Sequence, residues 1–291
     1  MPRATLLLSG FFQRLTGHRK QTGRAGSVLA CLAGCVLMAP GLVRAAQSDP
    51  LGSVMWDEIS KTQFAGAPVQ FDMEHVQVDA PRAVEDGGQV PLQIRISGLE
   101  TVVQIMVLAD LNPAPRVMTF TLQGAQPRLF LRTKLDQAGP VHAAVQTLDG
   151  VWHVGGTKID APGGGCTTPS ASQSSQSWKT RLNGAQGKAW RRADGGDRLR
   201  LRIIHPMNSG FVQGIPAFFI TRLDVTDAGS NQPVASFEPG EPLSENPMLT
   251  FDRQPGQHSQ AGYLLRWQDS DGNQGQAFIP PASSFSGGER P

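Results

Sequence analysis

Residues 90–96 read VPLQIRI, a run in which apolar side chains alternate with other residues. Val90, Leu92 and Ile94 fall on one side of an extended chain, and the residues between them fall on the other. This period of two predicts a β-strand with one buried face and one exposed face. Because the same pattern recurs along the chain, this stretch indicates the class of the whole fold.

The first half of the chain repeats the pattern after a short helix. The helix is predicted over residues 54–64, with Met55, Ile59 and Phe64 facing inward. Asp149-Gly150 is a strong hairpin turn between the last two strands of this half. The predicted strands lie within residues 103–107, 117–122, 129–131, 141–145 and 151–159. Short strands at this spacing are typical of a β-sandwich.

A second set of strands follows a break in the pattern. Residues 198–203 alternate arginine with leucine or isoleucine, which predicts a strand with one basic exposed face. Asp271-Gly272 is the turn of a last hairpin. The other predicted strands lie within residues 218–223, 234–237, 248–251, 263–267 and 277–279. The coarse prediction is therefore an all-β protein with two antiparallel β-sandwich domains.

The break between the two sets is the Gly/Ser-rich stretch APGGGCTTPSASQSSQS of residues 161–177. It contains no charged, aromatic or large aliphatic side chain, so it can bury little to offset the entropy of ordering. Gly163, Gly164 and Gly165 immediately precede Cys166. We therefore predict a flexible linker that offers Cys166 as a mobile, water-accessible thiol outside both folded bodies.

The amino-terminal 46 residues have the layout of a secretory signal peptide. A basic region without Asp or Glu precedes an apolar run over residues 28–43, and Ala45 and Ala46 follow. An alternative is a lipoprotein box at residues 32–35 with a lipid anchor on Cys35, but the apolar run continues past that cysteine. The sequence thus predicts a signal peptide at 1–46, domains at 50–160 and 178–282, a linker at 161–177, a disordered tail at 283–291, and a soluble periplasmic product.

Charge and cysteine content limit the function classes. Removing the 6 basic residues of the predicted signal from the 26 present leaves 20 against 24 acidic residues, with no basic stripe. Nucleic acid and anionic lipid are therefore poor partners. No later segment has the roughly 20 apolar residues needed to span a bilayer. One cysteine, Cys166, remains in this product, and an odd cysteine in an exported protein indicates intermolecular pairing or a reactive thiol.

Several strings resemble the SoxYZ sulfur carriers of bacterial thiosulfate oxidation. In the first half, the string VDAPRAVEDGGQVPL and the later Gly-Gly-Cys resemble SoxY. The second half is similar to SoxZ in three strings, HPMNSG, EPG followed by ENP, and WQDSDG. They lie at residues 78–92, 164–166, 205–210, 238–240 with 245–247, and 267–272.

The resemblance implies immunoglobulin-like sandwiches for both halves and a sulfur intermediate bound to a cysteine on a swinging arm. A single exported chain with both parts resembles the fused SoxYZ-like carriers associated with quinoprotein dehydrogenases. Implied partners are periplasmic redox or sulfur-handling enzymes, including a quinoprotein (PQQ) dehydrogenase and c-type cytochromes. Only Cys166 corresponds to the attachment site, with residues 163–165 as arm glycines. The family's arm ends at a carboxyl terminus, whereas here Thr167 continues the chain.

The leading hypothesis is a carrier that is not an enzyme and uses no cofactor or metal. The one cation near Cys166 in sequence is Lys158, eight residues before it, so activation of the thiolate would have to come from the partner. The alternative is an accessory module that docks on a periplasmic dehydrogenase and whose cysteine is idle. No nucleophile elbow, P-loop, dinucleotide fingerprint or zinc spacing occurs.

Four histidines are candidate site residues. His205 with Met207, and His75 with Met73, could be soft copper ligands, but a structural turn is the favoured interpretation of His205 and Met207. His142 and His153 fall in adjacent predicted strands and could face each other. Histidines on a strand surface are more often solvated than catalytic, so neither is assigned a role.

Overall fold

The computed structural model describes residues 48–170 and 176–282. The predicted signal peptide, the alternative anchor at Cys35 and the predicted tail at 283–291 lie outside these described residues. No helix in the described ranges is long and apolar enough to cross a bilayer. The elements are α1 (Trp56–Phe64), β1 (Val69–Phe71), β2 (Val76–Asp79), β3 (Val90–Ile96), β4 (Val102–Ala109), β5 (Arg116–Thr121), β6 (Ala125–Thr133), β7 (Gly139–Thr147), β8 (Trp152–Ile159), a 3-10 helix (Gln176–Arg181), β9 (Ala185–Arg191), β10 (Asp197–Ile203), β11 (Ile220–Asp227), β12 (Pro233–Pro239), β13 (Met248–Arg253), β14 (Tyr263–Asp269) and β15 (Gln274–Ile279).

The strands form two sheets that face each other across one apolar core. The nine-stranded sheet has the order β1-β8-β7-β4-β5-β12-β11-β14-β15, and the six-stranded sheet has the order β2-β3-β6-β13-β10-β9. Every pairing between strands is antiparallel except β1 with β8. The prediction of an all-β protein built from antiparallel sandwiches is confirmed.

Both sheets run without interruption from the first half of the chain into the second. Strand β5 pairs with β12, and β6 pairs with β13. At this seam the Phe120 and Phe237 rings stack with centroids 4.7 Å apart, and Phe251 tilts against Phe120 at 6.0 Å. The two sandwiches therefore share one core. Because the sheets are continuous, the boundaries at 160 and 178 stay a prediction.

The short helix α1 packs on the outer face of the nine-stranded sheet. Ile59 and Phe64 are buried as predicted. Met55 is 41% exposed, so its predicted inward orientation is wrong, and Trp56 occupies the buried position instead. The Trp56 and Phe64 side chains pack with Trp152 and other apolar residues of the sheet in a small second core. This helix therefore covers part of the sheet that would otherwise face water.

Under α1 lies a buried histidine held between two carboxylates. His142 Nδ1 lies 3.0 Å from Asp110 Oδ1, and its Nε2 lies 3.1 Å from Asp49 Oδ1. The Trp56 ring covers the imidazole at 4.7 Å. The three polar side chains have the spacing of metal ligands. However, each ring nitrogen already points at its own carboxylate, so the geometry is that of a hydrogen-bonded triad.

The two strand histidines do not face each other. In the β7–β8 ladder His142 lies opposite Gly156, and His153 lies opposite Val145. A Cβ on Gly156 would lie closer than 3.0 Å to the His142 ring, so the glycine leaves room for the imidazole. His153 instead contacts Asp72 Oδ2 at 3.0 Å. The suggested pairing is therefore wrong, and a solvated role is wrong for His142.

Candidate functional site

Cys166 is buried at the junction of the two halves of the chain. Its side chain is 1% exposed, and it is the free cysteine of the described residues. The predicted water-accessible thiol is therefore wrong in this structure. Residues 161–170 follow a defined path, and residues 171–175 of the predicted linker lie outside the described residues.

Glycine explains how a segment without apolar side chains becomes buried. Gly165 donates its N–H to Leu135 O at 3.0 Å, and Gly164 donates to Asp136 O at 2.8 Å. A Cβ on Gly165 would lie closer than 3.0 Å to the carbonyl oxygens of both Leu135 and Gly87. The segment therefore packs backbone against backbone, an approach that glycine alone permits.

The second half of the chain holds the other side of this segment. Ser209 Oγ donates a hydrogen bond of 2.6 Å to Cys166 O. Ser209 is 5% exposed and belongs to the HPMNSG string at residues 205–210. Hydrogen bonds therefore hold Cys166 from both sides. Its neighbouring glycines donate to the first half of the chain, and its own carbonyl oxygen accepts from the second half.

His205 and Met207 shape the turn that presents Ser209. Met207 has a positive φ of 50° and donates its N–H to His205 Nδ1 at 3.1 Å. Burial lowers the pKa of His205 to about 4, and the carboxylate of Asp269, whose Oδ2 lies 3.7 Å from Nε2, opposes this shift. The neutral imidazole therefore accepts a backbone hydrogen bond. Both side chains serve the turn, which is the structural role favoured from the sequence.

The second suggested pair of copper ligands lies elsewhere. Met73 and His75 occupy the turn between β1 and β2. His75 Nδ1 lies 2.8 Å from Asp72 Oδ1, and His153 contacts the other oxygen of the same carboxylate. Asp72 therefore contacts both imidazole rings, one with each carboxylate oxygen. Burial acts to raise the pKa of Asp72. The hydrogen bonds from the His153 side chain and from the backbone and side chain of His75 outweigh this effect, so the pKa is lowered.

Lys134 joins the two halves directly beside the cysteine segment. It follows β6, is 6% exposed, and its Nζ donates to the carbonyl oxygens of Met207 and Glu241. Burial lowers its pKa to about 8, an effect that Cys166, Glu245 and Glu241 oppose by attraction. Sequence reasoning missed this cation because 32 positions separate it from the cysteine, and a lone lysine after a strand gives no signal.

The thiol of Cys166 is held in its protonated form. Burial raises its pKa to about 12, and the nearby charge of Lys134 only partly opposes this. Asp136 and Glu241 raise it further. Since the thiolate is the nucleophile, Cys166 is unreactive near neutral pH while it stays in this position.

A cleft of about 460 Å³ lies beside the cysteine segment. Its walls come from residues 85–89, the glycines 163–165, Lys134 and the turn at 207–209. The loop between β12 and β13 closes the junction. In that loop Ser244 Oγ donates to Gly88 O at 2.8 Å, and Pro242 O accepts the N–H of Lys134 at 2.7 Å. The HPMNSG string and the loop that contains EPG and ENP therefore converge on the cysteine segment, and WQDSDG reaches the HPMNSG turn through Asp269 and His205.

The pKa of Cys166 leads to a prediction about its alkylation. The buried position disfavours the thiolate. Above the ordinary pKa of 9.0, the arrangement in which Cys166 is buried therefore loses about 1.4 kcal/mol of stability per pH unit relative to one in which the thiol is exposed. Between about pH 6 and 10.5, the rate of reaction with iodoacetamide should rise about tenfold per unit without levelling. In urea the rate should level near pH 9. A plateau near pH 9 in the native protein would show that the thiol is already exposed.

Comparisons with known proteins agree with this two-part arrangement. Residues 61–166 match the family model "Sulfur oxidation protein SoxY", so Cys166 is the last matched residue. Residues 188–279 match the model "Sulphur oxidation protein SoxZ". Among curated proteins, none matches the chain.

The solved structures that are similar to parts of the chain include a SoxY protein and a superoxide reductase. The sulfur carrier protein SoxY from Chlorobium limicola f thiosulfatophilum is 22% identical, with a TM-score of 0.33, over 37% of this chain and 96% of that one. A superoxide reductase (neelaredoxin) from Ignicoccus hospitalis is 14% identical, with a TM-score of 0.27, over 31% of this chain and 81% of that one.

Proposed function

We propose that this chain, which carries a SoxY family domain followed by a SoxZ family domain, is a non-enzymatic carrier of a sulfur group bound covalently to Cys166. The position of Cys166 is the observation that supports this most directly. It ends the SoxY match, and Ser209 of the SoxZ match holds its carbonyl oxygen. The sulfur atom that carries the group therefore lies at the junction between the two domains.

The structure corresponds to a retracted state of this carrier. A buried, protonated thiol cannot receive or deliver a group, so residues 161–170 must leave the junction for each transfer. The hydrogen bonds of Gly164, Gly165 and Ser209 oppose this by about 1 kcal/mol each. Opening therefore has a modest cost, and closing protects the thiol between transfers.

The partners and location belong to the same proposal. The carrier works in the periplasm after removal of residues 1–46. It exchanges its cargo with redox or sulfur-handling enzymes there, among them a quinoprotein dehydrogenase and c-type cytochromes. The signal-like composition of the amino terminus and the fusion of both domains in one chain support this assignment.

Intact-mass measurement tests the proposal on protein isolated without reductant from the cells that make it. We expect an adduct whose mass is a multiple of one sulfur atom and which dithiothreitol removes. Cys166→Ser should abolish the adduct, whereas the neighbouring control Thr167→Ser should retain it. A Cys166 that is always unmodified, together with wild-type sulfur oxidation in Cys166→Ser cells, would rule the carrier out.

The burial of Cys166 favours one second candidate, an accessory module whose cysteine is idle. In that case the two sandwiches dock on a periplasmic dehydrogenase and the thiol only fills the junction. Cys166→Ser would then leave co-purification with the enzyme and its activity unchanged. The same variant therefore separates the two candidates.

A further inference from the structure

The outward face of the six-stranded sheet is strongly basic. Along β10 the side chains of Leu199, Leu201 and Ile203 enter the core, and the arginines between them point away from it. The same alternation places basic side chains on the outer side of β3, β6 and β9. We call this surface the cationic face; it consists of Arg95, Arg128, Arg132, Lys188, Arg198, Arg200 and Arg202.

The strand register sets like charges beside each other on this face. Arg95 lies opposite Arg128, and Arg200 lies opposite Lys188. Like charges directly opposite each other destabilise a sheet. No basic stripe is evident in the sequence, because these residues come from three separated segments of a chain with near-neutral net charge. That expectation is wrong for this surface.

Few carboxylates balance these charges. Asp79 pairs with Arg95, and Asp252 pairs with Arg198, each at 2.7 Å. The other five cations make no ion pair within the described residues, and these are Arg128, Arg132, Lys188, Arg200 and Arg202.

Arg128 shows the imbalance most clearly. Its Nε is buried without a hydrogen-bond partner among the described residues. Burial lowers its pKa, and repulsion from Arg198, Arg192 and Arg95 adds to this although Asp252 opposes it. Contacts within the described residues therefore leave part of the positive charge of this face without a partner.

Two aromatic rings hold the cations in place. Arg128 and Arg198 lie over the Phe130 ring at 5.2 and 5.9 Å. Lys188 and Arg200 lie over the Trp190 ring at 5.2 and 5.3 Å. Since cation–π contacts restrain these long side chains, an anionic partner meets a preorganised surface.

A shallow cavity of about 260 Å³ interrupts the face near its middle. Phe130 and Met248 line it together with three arginines, Arg132, Arg198 and Arg200. A site with an apolar floor and a rim of guanidinium groups suits the stem and the carboxylate of one acidic side chain, because arginine binds carboxylates in a forked geometry.

We propose that the cationic face is a docking surface for an acidic protein, with one acidic side chain of that partner seated in the cavity. Arginine and aromatic residues are enriched at the energetically dominant positions of protein interfaces, and lysine is depleted. Six of the seven cations are arginines, and two aromatic rings lie among them. The composition of the face therefore fits a protein interface.

Other anionic partners fit the face less well. The exposed large apolar residues of the described chain all lie elsewhere, so nothing here inserts into a bilayer. Cations already lie over the Phe130 and Trp190 rings, so nucleic acid bases would have to displace them in order to stack there.

The docking surface borders the cysteine junction. Arg132 lies two residues before Lys134, and Pro91 lies two residues after Gln89, which lines the cleft. A partner on the face would therefore reach the mouth of the cleft. Delivery to such a partner rests on the proposed carrier function, whereas docking does not, and the test uses Cys166→Ser protein so that the two can fail separately.

Binding of fluorescent poly-L-glutamate and of phosphatidylglycerol vesicles tests the surface. Arg200→Glu with Arg202→Glu should weaken poly-L-glutamate binding at least about tenfold, and salt should weaken the parent's binding steeply. The matched control, Arg116→Glu with Arg266→Glu, makes the same charge change on the other sheet and should stay within about twofold. Equal loss in both pairs, or binding to vesicles alone, would overturn the proposal.

Photo-crosslinking in the producing cells identifies the natural partner. A photoreactive residue at Gln93, on the face, should capture an acidic protein that the same residue at Gln276, on the nine-stranded sheet, does not. The capture should disappear with Arg200→Glu and Arg202→Glu, and thermal unfolding should show that these variants remain folded. Capture of the same proteins at both positions, or of a basic protein at Gln93, would contradict the proposal.

Discussion

Gly165→Ala is expected to raise the alkylation rate of Cys166 about 100-fold at pH 7, which corresponds to about 2.7 kcal/mol of lost closed-state stability. A methyl group at this position would overlap the carbonyl oxygens of Gly87 and Leu135. Both oxygens belong to the backbone, and Leu135 lies only two residues after β6, so neither can move aside without breaking the junction. The segment must therefore leave, and the thiol leaves with it.

The measurement is the second-order rate of iodoacetamide labelling, followed by mass spectrometry. Gly163→Ala is the matched control, because its new methyl group would meet only Asp136 O at 3.3 Å. We expect that variant to stay within about threefold of the parent, a change of less than 1 kcal/mol. Equal rates for Gly165→Ala and the parent would show that the glycine does not hold the segment in the junction.

The outcome bears on how the carrier cycle is controlled. If one methyl group is enough to release the segment, then a partner that inserts a side chain between residues 87 and 165 can do the same. The retracted thiol would then be exposed only where a partner is present. The reactivity of Cys166 would then depend on binding of the partner rather than on any change in the thiol itself.

The strands were predictable because each depends on a local pattern. The alternation of residues 90–96 appears in the structure as β3 with alternating burial, and the Asp149-Gly150 and Asp271-Gly272 turns connect β7 to β8 and β14 to β15. The pairing of β5 with β12 and of β6 with β13 was not predictable. No local pattern states which edge strands meet, since that depends on the whole of both sheets.

The burial of Cys166 was missed for a different reason. Three glycines before the cysteine indicated a lack of packing partners, because glycine has no side chain to bury. In the structure the same absence permits the backbone at Gly165 to approach the backbone at residues 87 and 135. The HPMNSG string contained the missing signal, since its Ser209 contacts Cys166, but a sequence alone does not connect residues 43 positions apart.

His142 gives the clearest contrast between pattern and structure. The alternation of β7 places it opposite the core, which on an uncovered sheet would mean exposure to water. Helix α1 and the segment before it cover that face, so the imidazole is 0% exposed between Asp49 and Asp110. A strand pattern identifies the two faces of a sheet but does not tell which further element covers them.

We therefore expect His142→Ala to lower the free energy of unfolding by about 3–5 kcal/mol, because it leaves two buried carboxylates without their shared partner. It also opens a cavity beneath Trp56, which adds to the loss. Urea unfolding measures the change. His153→Ala is the control, since His153 is 13% exposed and contacts a single carboxylate; it should cost about 1 kcal/mol or less. Similar losses in the two variants would mean that the triad under α1 contributes no more than a surface contact, and α1 would then be held to the sheet by its apolar residues alone.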